Sequence, residues 1–295
     1  MNGSRMVELL EGLLPEEGII TDIIENVNLF CTTSSTPRMP QSFDPCIIII
    51  AQGEKRVFIG EDAFLYNPMN YLVLSVPLPV ECETAATAEK PMRGLKIRID
   101  PDIVGEILLT LDDVYCNIKS VPRGIYSSPV DESIRDATVR LLETLSSPTE
   151  SRILGPMIVR EIVYRVIYGE KGEALRALPF RNQCFSRVAR IINKMHIDFN
   201  KKFDSDSLAC EAGMSLPDFH SGFMAITNMS PYQYMKKTRL HKARMLMAEN
   251  GISASNAAIQ VGYDNLFQFN REYEMLFGMN PCREVLPCNN TVLHA

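Results

Sequence analysis

The chain has 295 residues, 46% of them apolar and 22% charged, with 16 glycines and 18 prolines. This excludes a disordered or collagen-like polymer and allows about two domains, each able to bury its own core. The formal charge of −6 is unevenly spread: residues 181–286 hold 13 Lys and Arg against 10 Asp and Glu, net +3, which leaves 17 basic against 26 acidic residues elsewhere, net −9. Such a division points to one part that meets a polyanion and another that does not.

The longest stretch without Asp, Glu, Lys or Arg in the first hundred residues, 63–80, contains Asn67, Pro68, Asn70, Pro77 and Pro79, so no membrane span is expected. Glu8 and Glu11 follow Arg5 with no apolar core and cleavage site after them, and no secretory signal is expected either. Eight cysteines are scattered without a C-x-x-C pair, against a zinc module or a disulfide scaffold. The sequence therefore reads as cytoplasmic, with each cysteine a small buried hydrophobe. Cys46, Cys82 and Cys116, in or near strands, are secondary candidates for a reactive thiol.

In chain order, residues 1–30 pair apolar residues with acids and read as short helix broken around 15–18. Residues 32–41, rich in Ser, Thr and Pro, read as loop. Short runs bounded by turn residues then predict strands at 46–51, 55–59, 63–66, 71–76 and 95–99, a compact antiparallel barrel or sandwich at about 40–100. After Pro101 the period becomes helical. Helices are expected at about 102–111, 131–145 and 154–168, stopped by Gly169, with a linker at 170–179. The division falls at 1–180 and 181–295.

The second part holds one helix-turn-helix pattern twice. In the first, Asp206 is the expected N-cap, Leu208 and Ala212 face the partner helix, Gly213 gives the turn its positive φ, and Ser215 caps a second helix with Phe219 and Phe223 as its core stripe. In the second, residues 255–261 turn at Gly262 into a helix with Phe269, Tyr273 and Leu276 inward. The two turn glycines are 49 residues apart. Between them a single helix over 231–249 is predicted, begun by Ser230-Pro231 and ended by Asn250-Gly251. At about 1.5 Å per residue it would be a rod of roughly 28 Å, close to the repeat of about 34 Å between successive major grooves on one duplex face.

These residues resemble the AraC/XylS-type bacterial transcription regulators. The resemblance rests on Leu208-Ala209 with Gly213-Met214-Ser215, on Asn228-Met229-Ser230-Pro231-Tyr232-Gln233-Tyr234, on Arg239-Leu240-His241-Lys242-Ala243-Arg244-Met245-Leu246, and on Ile259-Gln260-Val261-Gly262-Tyr263 with Phe277-Gly278-Met279-Asn280-Pro281. The first part is similar to the regulatory domain of such proteins in Asp44-Pro45, Gln52-Gly53-Glu54-Lys55, Tyr66-Asn67-Pro68 and the run from Tyr71 to Pro79. The resemblance implies an α+β multidomain chain: an N-terminal cupin-like β-barrel with flanking helices, then an all-α domain with two helix-turn-helix motifs. It implies a sequence-specific regulator that binds double-stranded DNA and answers to a small-molecule effector. It leans toward an activator, which would add RNA polymerase to the partners; the helices at 131–145 and 154–168 would supply homodimer or interdomain contacts.

Carried onto this sequence, the outward positions of the first recognition helix are Leu216, Pro217, Asp218, His220, Ser221 and Gly222. Ser221 and Gly222 are shorter than the base-reaching residues usual there. Those of the second are Asn265, Leu266, Gln268, Asn270 and Arg271, which makes it the expected main reader: Asn and Gln suit adenine, Arg suits guanine. On the connecting helix Lys236, Lys237, Arg239, Lys242 and Arg244 are phosphate-anchor candidates, of which two or three are expected to be ordinary surface charges. All four histidines lie beyond residue 180, so no imidazole metal site is expected in the barrel, and no hydrolase, P-loop or metalloprotease motif occurs. No cofactor and no enzyme activity are expected. Phe58, Phe64, Tyr66 and Tyr71 are the candidates for lining an effector pocket. The competing reading is a ligand-binding barrel whose helical half is a protein-interaction module.

Overall fold

The computed structural model describes residues 2–110, 121–178 and 184–283. Helix α1 (Asn2–Leu13) leads into nine strands: β1 (Gly18–Ile24), β2 (Val27–Thr32), β3 (Thr36–Phe43), β4 (Cys46–Gln52), β5 (Glu54–Ile59), β6 (Asp62–Tyr66), β7 (Asn70–Leu74), β8 (Leu78–Ala85) and β9 (Met92–Arg98). Then come α2 (Pro101–Leu109), β10 (Ile125–Pro129), α3 (Glu132–Thr144), α4 (Pro148–Ile153), α5 (Gly155–Tyr168) and α6 (Glu173–Ala177). The helical half consists of α7 (Cys184–Ile197), α8 (Ser205–Ala212), α9 (Leu216–Thr227), α10 (Pro231–Asn250), α11 (Ala254–Gln260) and α12 (Leu266–Phe277).

Strand pairings are antiparallel and build a six-stranded sheet, β1-β2-β9-β4-β7-β10, and a four-stranded one, β3-β8-β5-β6. Helices α1, α3 and α5 pack together over the larger sheet. The sheet domain extends well beyond 40–100. Residues 18–32 form a hairpin rather than helix, closed by Glu25-Asn26 with Asn26 left-handed (φ 67°), because β2 finds a partner in β9. The Ser, Thr and Pro-rich segment is β3, which pairs only with β8; an edge strand tolerates Pro37 and Pro40 because its outer N–H groups need no partner. Strand β8 begins at Leu78 despite Pro79, since β5 joins it only from Glu81 onward. The expected linker contains α6, whose Ala174, Leu175 and Ala177 are buried. The boundary at 180/181 lies outside the described residues.

One contiguous core runs from Met6 through both sheets and α1, α2, α3, α5 and α6 and on into α7, α8, α9 and the start of α10, ending at Met235. A second, smaller core gathers Leu240, Ala243 and Met247 of α10 with Ala257, Val261, Phe269 and Tyr273. Hydrophobic packing thus divides inside α10, not between the barrel and the helical half. Polar contacts reinforce the first junction. The buried Tyr234 hydroxyl donates to the Pro77 carbonyl at 3.0 Å, Asn228 Nδ2 donates to the Ile59 carbonyl at 3.1 Å, and the Gly124 N–H donates to the Ile226 carbonyl at 2.9 Å. Tyr234→Phe keeps the packing and strands a buried carbonyl. It should destabilise the junction by about 1–3 kcal/mol, seen as a lower urea midpoint with an unchanged helical spectrum.

Candidate functional site

Each helix-turn-helix motif is specified by local chemistry. In the first, α8 is capped by Asp204, two residues earlier than expected at Asp206, and Gly213 takes the left-handed conformation (φ 64°) at its end. Ser215 caps α9 reciprocally: the Asp218 N–H donates to Ser215 Oγ, and that hydroxyl donates to the Asp218 carboxylate at 2.6 Å. In the second, Ser253 caps α11, Gly262 (φ 85°) makes the turn, and Asn265 caps α12, its Oδ1 accepting from the N–H groups of Phe267 and Gln268. Helix α10 starts with a full capping box, Ser230 with Gln233, and ends at a left-handed Gly251.

The first recognition helix exposes Pro217, Asp218 and Ser221, while His220 is half-buried against Phe219. Gly222 does not face outward. It is buried against α7, where a Cβ would come within 2.9 Å of Cys184 Sγ, so its smallness serves helix approach rather than leaving a reader missing. Asp218 and Ser221 line a groove with Val121 of the sheet domain. In the second motif, Arg271 and Leu266 are exposed. Gln268 is exposed too, but donates to Glu272 at 3.2 Å, and Asn270 is half-buried with its Oδ1 sealed from solvent and unpartnered. The most exposed aromatic of the helical half, Phe267 at 78%, was not among the sequence candidates; its place opposite the Phe269 and Tyr273 stripe was the available signal.

Lys236 and Lys237 are half-buried, and Lys236 lines a cavity between the motifs. Arg239 is committed elsewhere. Its guanidinium donates to the carbonyls of Phe199 and Lys201, both at 2.7 Å, and of Gly262 at 3.2 Å. It therefore rivets the loop before α8 to the turn of the second motif, and Phe199 packs on both cores. A Cβ at Gly262 would collide with the Asn200 carbonyl.

Between the sheet domain and the helical half lies a cavity of about 330 Å³. One wall is Asn28, Gln41, Cys46, Lys96 and Arg98 of β2, β3, β4 and β9; the other is His196 of α7 with His241, Lys242 and Arg244 of α10. Four Lys and Arg side chains stand there against Asp22 and Asp44. Arg98 holds Asp22 at 3.3 Å, and His196 lies 3.2 Å from Asp44, whose pKa that hydrogen bond lowers to about 2. Lys242 stands 5.9 Å over the Phe199 ring. None of Phe58, Phe64, Tyr66 and Tyr71 lines this cavity. Tyr66 and Tyr71 are core, Phe64 packs against the core, and Phe58 lies under the Arg38 guanidinium. Burial pushes the thiols of Cys46 and Cys82 up to about 12 and about 11, which holds them as unreactive thiols; Cys116 lies outside the described residues. Among the described residues no His, Cys, Asp and Glu cluster could hold a metal, and no helix is long and apolar enough to cross a membrane.

A two-sheet domain joined to paired helix-turn-helix motifs defines the class of a bipartite gene regulator. The profile of the AraC-type transcriptional regulator N-terminus matches residues 23–174, just over half of the chain, and a helix-turn-helix domain profile matches residues 208–283. The chain belongs to the AraC-type transcriptional regulators. A probable transcriptional regulator of Photobacterium leiognathi, LumQ, is 28% identical over 93 residues, which are 32% of this chain and 38% of that protein; the match spans well under half of that relative. ToxT from Vibrio cholerae shares the fold: one structure superimposes with a TM-score of 0.59 at 10% identity, covering 90% of this chain and 97% of that one. Unsaturated fatty acid bound ToxT gives 0.58 at 10% identity, covering 90% and 94%.

Arg239→Ala should strip three carbonyls of a charged donor and lower the stability of the helical half by about 2–4 kcal/mol. Arg239→Lys should not restore it, because one ammonium cannot reproduce the guanidinium fork. Urea unfolding of the free protein checks this, with Lys237→Ala, expected within about 0.5 kcal/mol of the parent, as the surface control.

Proposed function

We propose that the chain is a sequence-specific DNA-binding transcription regulator whose two motifs enter adjacent major grooves, with the second as the main reader of bases. Arg271 is its principal guanine contact, Gln268, three residues earlier, is its neighbour on that face, Leu266 stands in the leading turn, and Pro217, Asp218, His220 and Ser221 of the first motif meet backbone and groove edge. Lys236 and Lys237 supply sequence-blind phosphate contacts. Arg239 acts indirectly, through the pose of the second motif. The regulatory part corresponds to 1–180 and the DNA-binding part to 181–295; activation, through RNA polymerase, is the mode that the family resemblance favours.

The effector we infer is an anionic amphiphile of the long-chain fatty acid class, seated between the two parts. The observation that carries this is the cavity itself: cations from β9 and α10 converge on one space whose volume falls within the range of about 300–1,000 Å³ usual for ligand sites. The fatty acid in a ToxT structure of the same fold supports the ligand class. An anion held by Lys96 and Lys242 together ties α10 to the sheet, so it favours the arrangement in which the helical half is docked. A ligand shifts an equilibrium only by its different affinity for the two arrangements. Oleate should therefore raise the melting temperature, by a stability increment of about 2.7 kcal/mol at a hundred times its dissociation constant, and weaken a gel shift on promoter DNA. Oleyl alcohol and the Lys96→Ala/Lys242→Ala protein should show neither effect. Arg271→Ala should relax sequence preference; binding with no preference in the parent protein would favour an interaction module instead.

A homodimer completes the reading. Ile153, Met157, Tyr164 and Tyr168 form an exposed apolar stripe along α4 and α5. An antiparallel copy of the same stripe, with its two-fold axis between residues 160 and 161, would set Met157 against Tyr164 and Ile153 against Tyr168 on both sides, an isologous contact. Sedimentation equilibrium should show a dimer for the parent and a monomer for Met157→Glu.

A further inference from the structure

The second recognition helix carries an apolar side chain where a solvated helix would carry a polar one. Phe267 is 78% exposed and Leu266, beside it, 41% exposed, in the first turn of α12. Phe269 and Tyr273 of the same helix are fully buried. At 100° per residue, Phe267 therefore points away from the core, and Arg271, one turn further on, shares its face and is exposed. The position is fixed rather than frayed: Asn265 Oδ1 accepts from the Phe267 N–H at 2.9 Å and the Gln268 N–H at 3.1 Å. The cap thus fixes the backbone that carries the aromatic ring at the leading end of the helix.

We propose that Phe267, with Leu266 beside it, is a specificity-determining residue that reads the 5-methyl group of thymine. This rests on the DNA-binding reading and deepens it. The leading turn of the second helix of such a motif meets base edges in the major groove. The chemistry that distinguishes thymine there is an apolar methyl, which phenyl and alkyl side chains contact directly. Phe267 and Arg271 are four residues apart, about 6 Å along the helix axis, or about two base-pair steps. The preferred site accordingly holds a thymine about two base pairs from the guanine that Arg271 meets.

The test starts from duplexes selected by the full chain from a random-sequence pool. Each thymine of the selected site is replaced singly by deoxyuridine, which removes only the methyl group, and affinity is read by gel shift. The parent protein should lose roughly fourfold at one or two positions, the worth of one buried carbon group. Phe267→Ala should bind the thymine duplex more weakly and be indifferent to the replacement, while Phe267→Leu should keep part of the response. A selected site at which every replacement is neutral for the parent, or a Phe267→Ala protein that still responds, overturns the proposal and leaves the DNA-binding reading standing. A pool that yields no preferred sequence overturns both. A Phe267→Ala protein that binds DNA like the parent but no longer captures a protein partner assigns this face to that partner and also overturns the proposal.

Discussion

Everything in this molecule depends on the burial of the first turns of α10 in the sheet domain. Tyr234, fully enclosed, lies in the same core as the strands and reaches the carbonyl at the start of β8, while Met229 and Met235 pack on either side of it in the chain. The first helix-turn-helix motif is therefore not an appendage joined by a tether. Its Leu208, Phe219 and Phe223 are continuous with the interior of the barrel, and separating them would expose apolar surface at about 25 cal/mol for each Å². The second motif owns a separate small core and rests on the rest through α10, the Phe199 hub and the touch of α12 against β3.

This unequal attachment makes the two motifs different instruments despite their common pattern. In the first, the helix approach secured by Gly222 and the groove shared with Val121 draw the recognition helix toward the regulatory part. In the second, a well-capped helix presents Phe267 and Arg271 outward. The cavity between the sheet domain and the helical half sits on the α10 segment that joins them: Lys242 faces Asp44 and the cavity, and also the ring of Phe199, which packs on both cores. Charge in the cavity and geometry between the motifs thus meet at neighbouring residues.

The helical half was largely legible in the sequence because its determinants are local. Caps, left-handed turn glycines and aromatic stripes at i and i+4 each act within a few residues, so Gly213, Ser215, Ser230 and Gly262 announce themselves. The sheet domain was legible only where runs of β-branched residues met strong turn signals. Strands β1, β2, β3, β8 and β10 were missed because what makes them strands is a partner far along the chain: β9 for the first hairpin by way of β2, β8 and β3 for each other, and β7 for β10. The cavity was hidden for the same reason. Lys96 and Arg98 alternate on one face of β9, which is a readable sign, but nothing near them in sequence says that Lys242 and Arg244 arrive opposite. The aromatic candidates failed because periodicity identifies a strand without telling which of its faces meets empty space.

The length of α10 gives its attachment a mechanical consequence. Twenty residues of unbroken helix extend about 30 Å. A pivot of about 10° at the end anchored by Tyr234 would carry the far end through about 5 Å, more than the reach of a hydrogen bond. Small rearrangements at the anchored end are thus amplified into displacements of several ångströms at the second motif, and a lever of this kind needs no unfolding to move.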